Sequence, residues 1–297
     1  MDQSFVREKI IFIINPNSGT RYKGRLPEII NELTDNTVFE VEVVTTKYKG
    51  EATEIVLQKL GENYRYFVAV GGDGTVNEVA KAMINTGSIL GIIPVGSGNG
   101  LARHLKIPLQ PPKAIALINR LKTDTIDYGL VNDIPFFCTC GVGFDALIGE
   151  KFEENKRRGL TSYIKTVFRE YFNYKPESYE IAIDNQQKIE RKAFLITFAN
   201  SSQYGNNALI APHADICDGK LDISILSPFR FYHSLMIGIR LFTGNIDKSR
   251  LLTCTQATHV VVQRGSDSII HFDGETCQMD KTLTISIINK GLSVLIP

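Results

Sequence analysis

Three glycine-rich loops constrain the fold of this chain more than any other feature, because each directly follows an apolar strand-like segment. The loops occupy residues 15–19, 71–75 and 96–100, and they read Asn-Pro-Asn-Ser-Gly, Gly-Gly-Asp-Gly-Thr and Gly-Ser-Gly-Asn-Gly. Apolar residues at strand and helix spacings alternate from residue 9 to about residue 121, which predicts a parallel, doubly wound sheet. Open α/β sheets bind ligands at the carboxyl ends of their strands, so we expect the three loops to converge on one crevice.

The composition of these loops indicates a phosphate site. Glycine has no Cβ, so it lets backbone N–H groups close around phosphate oxygens, and the helices predicted after the second and third loops direct their positive ends at the same anion. Asp73 would be repelled by a bare phosphate, which favours a metal–nucleotide complex. A lone Gly-Gly pair is equally typical of a tight turn. Three such loops on successive strand–helix units favour the nucleotide, although the sequence has neither a Walker motif nor a G-x-G-x-x-G motif.

The second half of the chain has a different pattern. Beyond residue 126 most segments are short and rich in β-branched or aromatic residues, and turn pairs such as Asp184-Asn185 and Asp218-Gly219 separate them. This pattern predicts an antiparallel β-domain with one long helix. We therefore expect an ATP-binding α/β domain over residues 1–125 and a β-rich domain over residues 126–297, whose last residues can return to the first domain.

Charge and hydropathy exclude several classes of protein. The formal net charge is +1, which gives no global attraction to polyanions, and we expect no nucleic-acid partner. The longest apolar runs, such as residues 10–14, are far shorter than the roughly 20 residues that cross a bilayer, and the residues before Asn15 do not form a signal peptide. We therefore expect a cytoplasmic protein. The five cysteines lack the paired spacing of zinc or redox sites, so we interpret them as structural thiols.

Two longer segments carry a family resemblance. Residues 71–79, Gly-Gly-Asp-Gly-Thr-Val-Asn-Glu-Val, and residues 93–99, Ile-Pro-Val-Gly-Ser-Gly-Asn, resemble the catalytic domain of the diacylglycerol kinase and sphingosine kinase family, particularly its small bacterial members. The likeness also includes residues 15–19, 141–145, 210–212, 218–222 and 273–275. It implies an ATP-dependent lipid kinase with a nucleotide domain, a β-sandwich-like lipid domain, and an active site in the cleft between them.

The resemblance also assigns roles to residues. It implies that Glu275 is the general base, that Asp273 supports it, and that Asp73 links to a catalytic Mg²⁺. It implies a structural Mg²⁺ held by the Asp218 side chain and by the main-chain carbonyls of Asp215 and Lys220. The residues assigned to ATP binding are Asn15, Pro16, Asn17, Ser18, Gly19, Thr46, Gly71, Gly72, Asp73, Gly74, Thr75, Asn77, Glu78, Gly96, Ser97, Gly98 and Asn99. Thr46 is included on a short Thr-rich stretch alone.

Alternatives stay open at several of these positions. From the residues alone, Asp273-Gly274 is as well explained by a hairpin turn, and Asp215, Asp218 and Asp222 by solvated turns. The third loop has Gly100 where diacylglycerol kinases commonly have Asp, which resembles sphingosine kinases. The acceptor can therefore be diacylglycerol, a sphingoid base or another lipid alcohol.

Two other functions remain as rivals. One is an NAD kinase, which shares the Gly-Gly-Asp-Gly-Thr loop, and the third loop and residues 218–222 fit the lipid kinases better. The other is a non-catalytic protein that binds nucleotide and lipid, which we expect to lack Asp73 or Glu275. Both carboxylates are present.

One predicted helix bears on membrane contact. Residues 160–172 have apolar side chains at positions 160, 163, 164, 167, 168, 171 and 172, the spacing of an amphipathic helix, and Lys156-Arg157-Arg158 precede it. We expect this helix to cover the core of the β-domain, while its basic end can meet anionic headgroups. The expected partner is a lipid substrate at the inner face of a membrane, with peripheral contact, and a homodimer stays open.

Overall fold

Two units make up the chain. The structure is a computed structural model that describes residues 7–19, 24–154, 160–184 and 188–297. The first unit comprises Met1–Ile126 together with Lys290–Pro297, and the second comprises Asp127–Asn289. The basic residues Lys156, Arg157 and Arg158, for which we predict headgroup contact, lie outside the described residues.

Strands and helices alternate strictly at the start of the chain. The elements up to residue 118 are β1 (Glu8–Ile14), α1 (Leu26–Leu33), β2 (Phe39–Thr45), α2 (Glu51–Leu60), β3 (Tyr66–Gly71), α3 (Asp73–Met83), β4 (Ile89–Pro94), α4 (Gly100–His104) and α5 (Pro111–Ile118).

Strands dominate from there on. They are β5 (Thr123–Val131), β6 (Ile134–Phe136), β7 (Thr139–Gly143), β8 (Glu177–Ile183), β9 (Ile189–Ala193), β10 (Leu195–Ala199), β11 (Leu221–Leu226), β12 (Leu252–Ala257), β13 (His259–Gln263), β14 (Ser268–Phe272), β15 (Glu275–Met279) and β16 (Thr282–Leu295). The helices among them are α6 (Phe144–Glu154), α7 (Leu160–Tyr171) and α8 (Ser234–Thr243), and 3₁₀ turns span Phe231–His233 and Ile246–Lys248.

The first unit is built on a parallel sheet. Its strands follow the order β2-β1-β3-β4, and the end of β16 pairs in parallel with β4 through Ser293 and Val294. Every residue of β3 and β4 is buried, as expected for parallel strands that are covered on both faces. Right-handed crossovers put α1 on one face and α2 with α3 on the other, because the chain reverses its direction across the sheet after β2.

The second unit is an antiparallel β-sandwich. One sheet has the order β12-β11-β10-β7-β14-β15, and β16, β13, β8 and β9 form the other. Buried side chains from both sheets, such as Phe198 and Ile223 in one and Val260 and Ile285 in the other, belong to a single apolar cluster. The predicted fold class, an α/β domain followed by a β-sandwich-like domain, is confirmed.

Some of the secondary structure in this unit differs from the prediction. The prediction of a single helix is wrong, because α6 and α8 are helices as well as α7. In α8 apolar residues occupy most positions around the helix and Gly238 lies inside it, so no 3.6-residue period is visible. The strands β12 and β15 were also not predicted. They lie at the two ends of the sheet order and are mostly polar, so they lack an apolar alternation.

The helix predicted to cover the β-domain does so in part. Val167 and Tyr171 of α7 pack against a buried cluster that includes Phe144 and Phe194. Phe168 and Phe172, assigned by spacing to the same face, are instead exposed. Among the residues that the structure describes, no helix is both long enough and apolar enough to span a bilayer.

Candidate active site

The three glycine-rich loops of the first unit come together through direct hydrogen bonds. Asn15 Nδ2 in the first loop donates to Thr75 Oγ1 at 3.1 Å, and Ser18 Oγ accepts the Gly72 N–H at 3.3 Å. The second and third loops are joined by Asp73, whose carboxylate accepts the N–H groups of Asn99 and Gly100 at 2.9 and 2.6 Å. The expected convergence of the loops is therefore present.

Asp73 is the residue that links the second and third loops. Burial raises the pKa of its carboxyl, while the backbone N–H groups of Gly100, Asn99 and Asp73 itself and the positive charge of Arg103 act in the opposite direction. Arg103 itself donates from Nε to the Gly98 carbonyl oxygen at 2.9 Å. The sequence analysis did not single out Arg103. Its position in the helix directly after the third loop is the signal that could have identified it.

The second and third loops touch through their backbones. A Cβ on Gly96 would lie 2.4 Å from the Cα of Gly72, a distance that no side chain tolerates. Asn99 holds this contact in place, since its side-chain amide accepts the Gly96 N–H at 3.1 Å and donates to the Gly96 carbonyl at 2.8 Å. Glycine at position 96 is therefore a steric requirement.

The start of α3 supplies the donors for an anion. Gly72 is the N-cap of this helix and no side chain caps it, so the N–H groups of the first turn have no capping side-chain acceptor. They lie at the positive end of the helix dipole, next to the loops that Asn15 and Asp73 join. Backbone amides of this kind bind phosphate oxygens without a charged side chain.

The remaining predicted nucleotide residues fall into two groups. Pro16, Asn17, Gly74 and Ser97 are exposed on the loops. Asn77 is buried within α3, while the carbonyl of Glu78 accepts the hydroxyl of Thr53 at 2.9 Å. Thr46 is also buried, and both its N–H and its hydroxyl donate to the Ile14 carbonyl. Glu78 and Thr46 thus form hydrogen bonds with other elements of the first unit.

The predicted catalytic carboxylates of the second unit lie on the hairpin of β14 and β15. Asp273 and Gly274 form its turn, with φ angles of 49° and 83°. The Asp273 carboxylate accepts three successive N–H groups, those of Phe137, Cys138 and Thr139, at 2.6, 2.7 and 3.1 Å. Asp273 therefore fixes the hairpin to the loop before β7.

Glu275 has a different environment from Asp273. It begins β15, pairs in register with Phe272 and is partly exposed. Asp273 lies in the turn, and its carboxylate is directed at the backbone N–H groups of the loop before β7. Asp273 can support Glu275 by holding the hairpin in position.

The role of Asp273 gives a stability prediction. We expect Asp273→Ala to lower the free energy of unfolding by about 2–5 kcal/mol, because it removes a charged acceptor from three backbone N–H groups. Asp273→Asn should lower the free energy of unfolding by less, since Asn keeps one acceptor oxygen and tolerates a positive φ. The measurement is urea denaturation of the full chain followed by circular dichroism, with the exposed Asp280→Ala as control. Equal midpoints for Asp273→Ala and Asp280→Ala would contradict the assignment.

A buried polar network adjoins the same hairpin. Asp145 Oδ2 lies 2.9 Å from His271 Nε2, and it accepts the hydroxyls of Tyr204 and Thr197 at 3.1 and 3.2 Å. The side chains of His271 and Asp145 are only 7% and 8% exposed. The network connects the first turn of α6 to β14 and β10, so it fixes the strand that leads into Asp273. Sequence analysis missed it, because its members are far apart in the chain.

The predicted structural metal site lies in the loop before β11. Asp218 Oδ1 accepts the Lys220 N–H at 2.9 Å, and Asp215 Oδ1 accepts the Cys217 N–H at 3.0 Å. The Gly219 N–H donates to the buried Asp127 carboxylate at 2.7 Å, which anchors the loop. Burial, with the negative charge of Asp218 added, raises the pKa of Asp222. These hydrogen bonds hold the loop in place, and it carries several oxygen atoms that can bind a cation.

The carboxylate and carbonyl oxygens of this loop are chemically suited to bind a hard cation. Within residues 7–19, 24–154, 160–184 and 188–297, no group of three or more His, Cys, Asp or Glu side chains is arranged to hold a metal ion. A site formed by one carboxylate and two main-chain carbonyls needs no such group, and Mg²⁺ prefers oxygen ligands and keeps several waters. The Asp218 carboxylate and the carbonyls of Asp215 and Lys220 would supply oxygen ligands of the kind that Mg²⁺ prefers.

Two sequence families match the two halves of the chain. Residues 9–131 match the diacylglycerol kinase catalytic domain, and residues 138–296 match the YegS C-terminal NAD kinase beta sandwich-like domain. A diacylglycerol kinase from Mycobacterium tuberculosis is 30% identical, with 97% of this chain and 95% of that protein covered. A diacylglycerol kinase from Bacillus subtilis is 27% identical over 91% of this chain and 89% of its own length. The chain spans 64% of the length of a further relative, an uncharacterized protein from Synechocystis that is 30% identical.

Solved structures resemble the fold. A putative diacylglycerol kinase from Bacillus anthracis superimposes with a TM-score of 0.77 at 22% identity, covering 98% of each chain. An NAD kinase from Archaeoglobus fulgidus has a TM-score of 0.54 at 12% identity, covering 96% of this chain and 93% of its own. At these identities the structures establish only the fold. The sequence matches over residues 9–131 and 138–296, and the mycobacterial relative that is similar along almost its whole length, show that the chain belongs to the family of diacylglycerol kinases and YegS-like lipid kinases.

Proposed function

We propose that this protein is an ATP-dependent kinase that transfers the γ-phosphate to the hydroxyl of a lipid, such as diacylglycerol or a sphingoid base. The observation that carries the proposal is the cluster of three loops around the start of α3, which Asp73 and Asn15 hold together. Diacylglycerol is the first acceptor to test, because relatives along nearly the whole chain are named diacylglycerol kinases.

In this proposal the first unit binds the nucleotide. The N–H groups of the first turn of α3 donate to phosphate oxygens, and the backbone contact between Gly72 and Gly96 keeps the loops at a fixed separation. Bound with the nucleotide, Mg²⁺ would neutralise part of the phosphate charge. Asp73 would face its water shell through the carboxylate that also accepts the N–H groups of Asn99 and Gly100.

The second unit supplies the base. We propose that Glu275 accepts the proton of the lipid hydroxyl as that oxygen bonds to the γ-phosphorus and the bond to the bridging oxygen of ADP breaks. Asp273 positions the hairpin that carries Glu275 through its three backbone contacts. The Asp218 side chain and the carbonyls of Asp215 and Lys220 would hold a structural Mg²⁺.

The experiment is a transfer assay with [γ-³²P]ATP against separate acceptors: dioctanoylglycerol, sphingosine, a mixed lipid extract and NAD. We expect label in a lipid, and a rate that falls when EDTA removes divalent cations. Label in NAD alone would overturn the proposal in favour of an NAD kinase. Label in no acceptor would favour a protein that binds nucleotide and lipid without catalysis.

A further inference from the structure

An apolar surface is exposed on α8 and on the 3₁₀ turn before it. We call it the α8 surface. Six large side chains form it: Phe231 (40% exposed), Tyr232 (67%), Leu235 (74%), Met236 (55%), Ile239 (50%) and Phe242 (43%). Single exposed apolar residues are ordinary, but a continuous group of this size on a short helix marks an interaction site.

The opposite side of α8 is anchored. Ile237 and Leu241, four residues apart on this helix, pack against the buried cluster that contains Phe194 and Leu226. Leu235, Ile239 and Phe242 follow the i, i+4, i+7 spacing of a second apolar face. The helix therefore has a fixed orientation in which this second face is directed away from the core.

Aromatic residues of α7 and of the turn after it extend the α8 surface. The rings of Phe168 and Phe172 lie 5.7 and 4.8 Å from that of Phe231, measured between centroids. Both are largely exposed, at 49% and 68%. Tyr171 is partly buried beneath them and donates its hydroxyl to the Phe229 carbonyl at 2.5 Å. The exposed surface thus continues from one helix to the next.

The chain segment that carries α8 is mostly basic. Residues 227–250 contain Arg230, Arg240, Lys248 and Arg250, against the single carboxylate of Asp247. Arg230 and Arg250 are exposed at the two ends of this segment. A two-fold contact between two copies would place like charges opposite one another. An anionic lipid surface would instead attract them.

We propose that the α8 surface docks onto an anionic membrane, with its apolar side chains at the boundary of headgroups and acyl chains and its arginines among the headgroups. This inference rests on the proposed function, because the acceptor of a lipid kinase resides in a bilayer. The apolar side chains contribute burial in the interface and the basic residues contribute attraction to anionic lipid, the two terms that determine interfacial binding.

The test compares two variants that carry the same substitution. Leu235→Asp changes the α8 surface, and Leu57→Asp changes a leucine on α2 in the first unit that is 59% exposed, against 74% for Leu235. Binding is measured without nucleotide by sedimentation with vesicles of phosphatidylcholine containing phosphatidylglycerol. We expect Leu235→Asp to lower the partition coefficient by about ten- to a hundredfold and Leu57→Asp to leave it unchanged. Arg230→Gln with Arg250→Gln should weaken binding only to the phosphatidylglycerol-containing vesicles.

The other outcomes overturn the inference. Equal binding of Leu235→Asp and the wild type would show that membrane contact does not use the α8 surface. A wild-type dimer that becomes a monomer in Leu235→Asp, with vesicle binding unchanged, would assign the surface to a second copy of the chain. The vesicle measurement needs no turnover, so a failed transfer assay would remove the proposed function without deciding this one.

Discussion

Replacing Glu275 by Gln is expected to lower the turnover number of phosphoryl transfer by about 100- to 10,000-fold, the range that a positioned general base contributes. The amide has nearly the shape of the carboxylate but cannot accept the proton of the attacking hydroxyl. Because Glu275 lies on β15 and the nucleotide loops lie in the first unit, the KM for ATP should change little. The measurement is initial rates with [γ-³²P]ATP and the preferred lipid from the acceptor panel.

The control for this variant is Asp280→Asn, which removes an exposed carboxylate just beyond the same strand. It should keep the wild-type rate, and circular dichroism should show both variants folded. If Glu275→Gln kept its turnover number within tenfold of the wild type, the proton would have to leave by another route, and Glu275 would not be the base.

Gly96→Ala is expected to have the second large effect. The added Cβ would lie 2.4 Å from the Cα of Gly72, so the backbones of the second and third loops would have to separate. We expect the Kd for ATP to rise by at least about tenfold, because a small displacement of the binding groups has a large effect. The strain should also destabilise the chain by about 1–3 kcal/mol. ATP titration by calorimetry and urea denaturation measure the two effects separately.

Gly61→Ala is the matched control. Gly61 lies in the first unit at the end of α2 with a φ of −69°, and a Cβ there would meet only the Gln58 carbonyl at 3.4 Å. This variant should bind ATP as the wild type does. Wild-type ATP binding by Gly96→Ala would mean that the loops do not need their close contact, and the nucleotide site would have to lie elsewhere.

The first unit was predictable because its signals are local and repeated. The strands β1, β3 and β4 precede the three loops as predicted, since each is a mostly apolar segment that leads into glycine or Asn-Pro. Convergence of the loops followed from the geometry of parallel sheets alone. The resemblance to lipid kinases was carried by the same loops, and the family comparisons confirm it.

The second unit was less predictable because its structure depends on contacts between distant residues. Residues 136–140 form one continuous run of residues typical of a strand, but the structure divides them between β6 and β7, since Asp273 accepts the N–H groups between the two strands. The network of Asp145 and His271 joins residues 126 positions apart. The spacing of residues along the sequence gives no indication of such pairs. The helix α8 was missed because its exposed apolar face hides the usual amphipathic period.

The two crossings of the chain between the units have a consequence for biosynthesis. The strand β5 carries the chain out of the first unit and β16 brings it back, so that Lys290–Pro297 complete the parallel sheet beside β4. A ribosome that has released only residues 1–126 has made a sheet whose β4 edge is open to pairing with another chain. The first unit can therefore complete its sheet only after residues 127–289 have been synthesised, so the pairing of β16 with β4 is a late step in its folding.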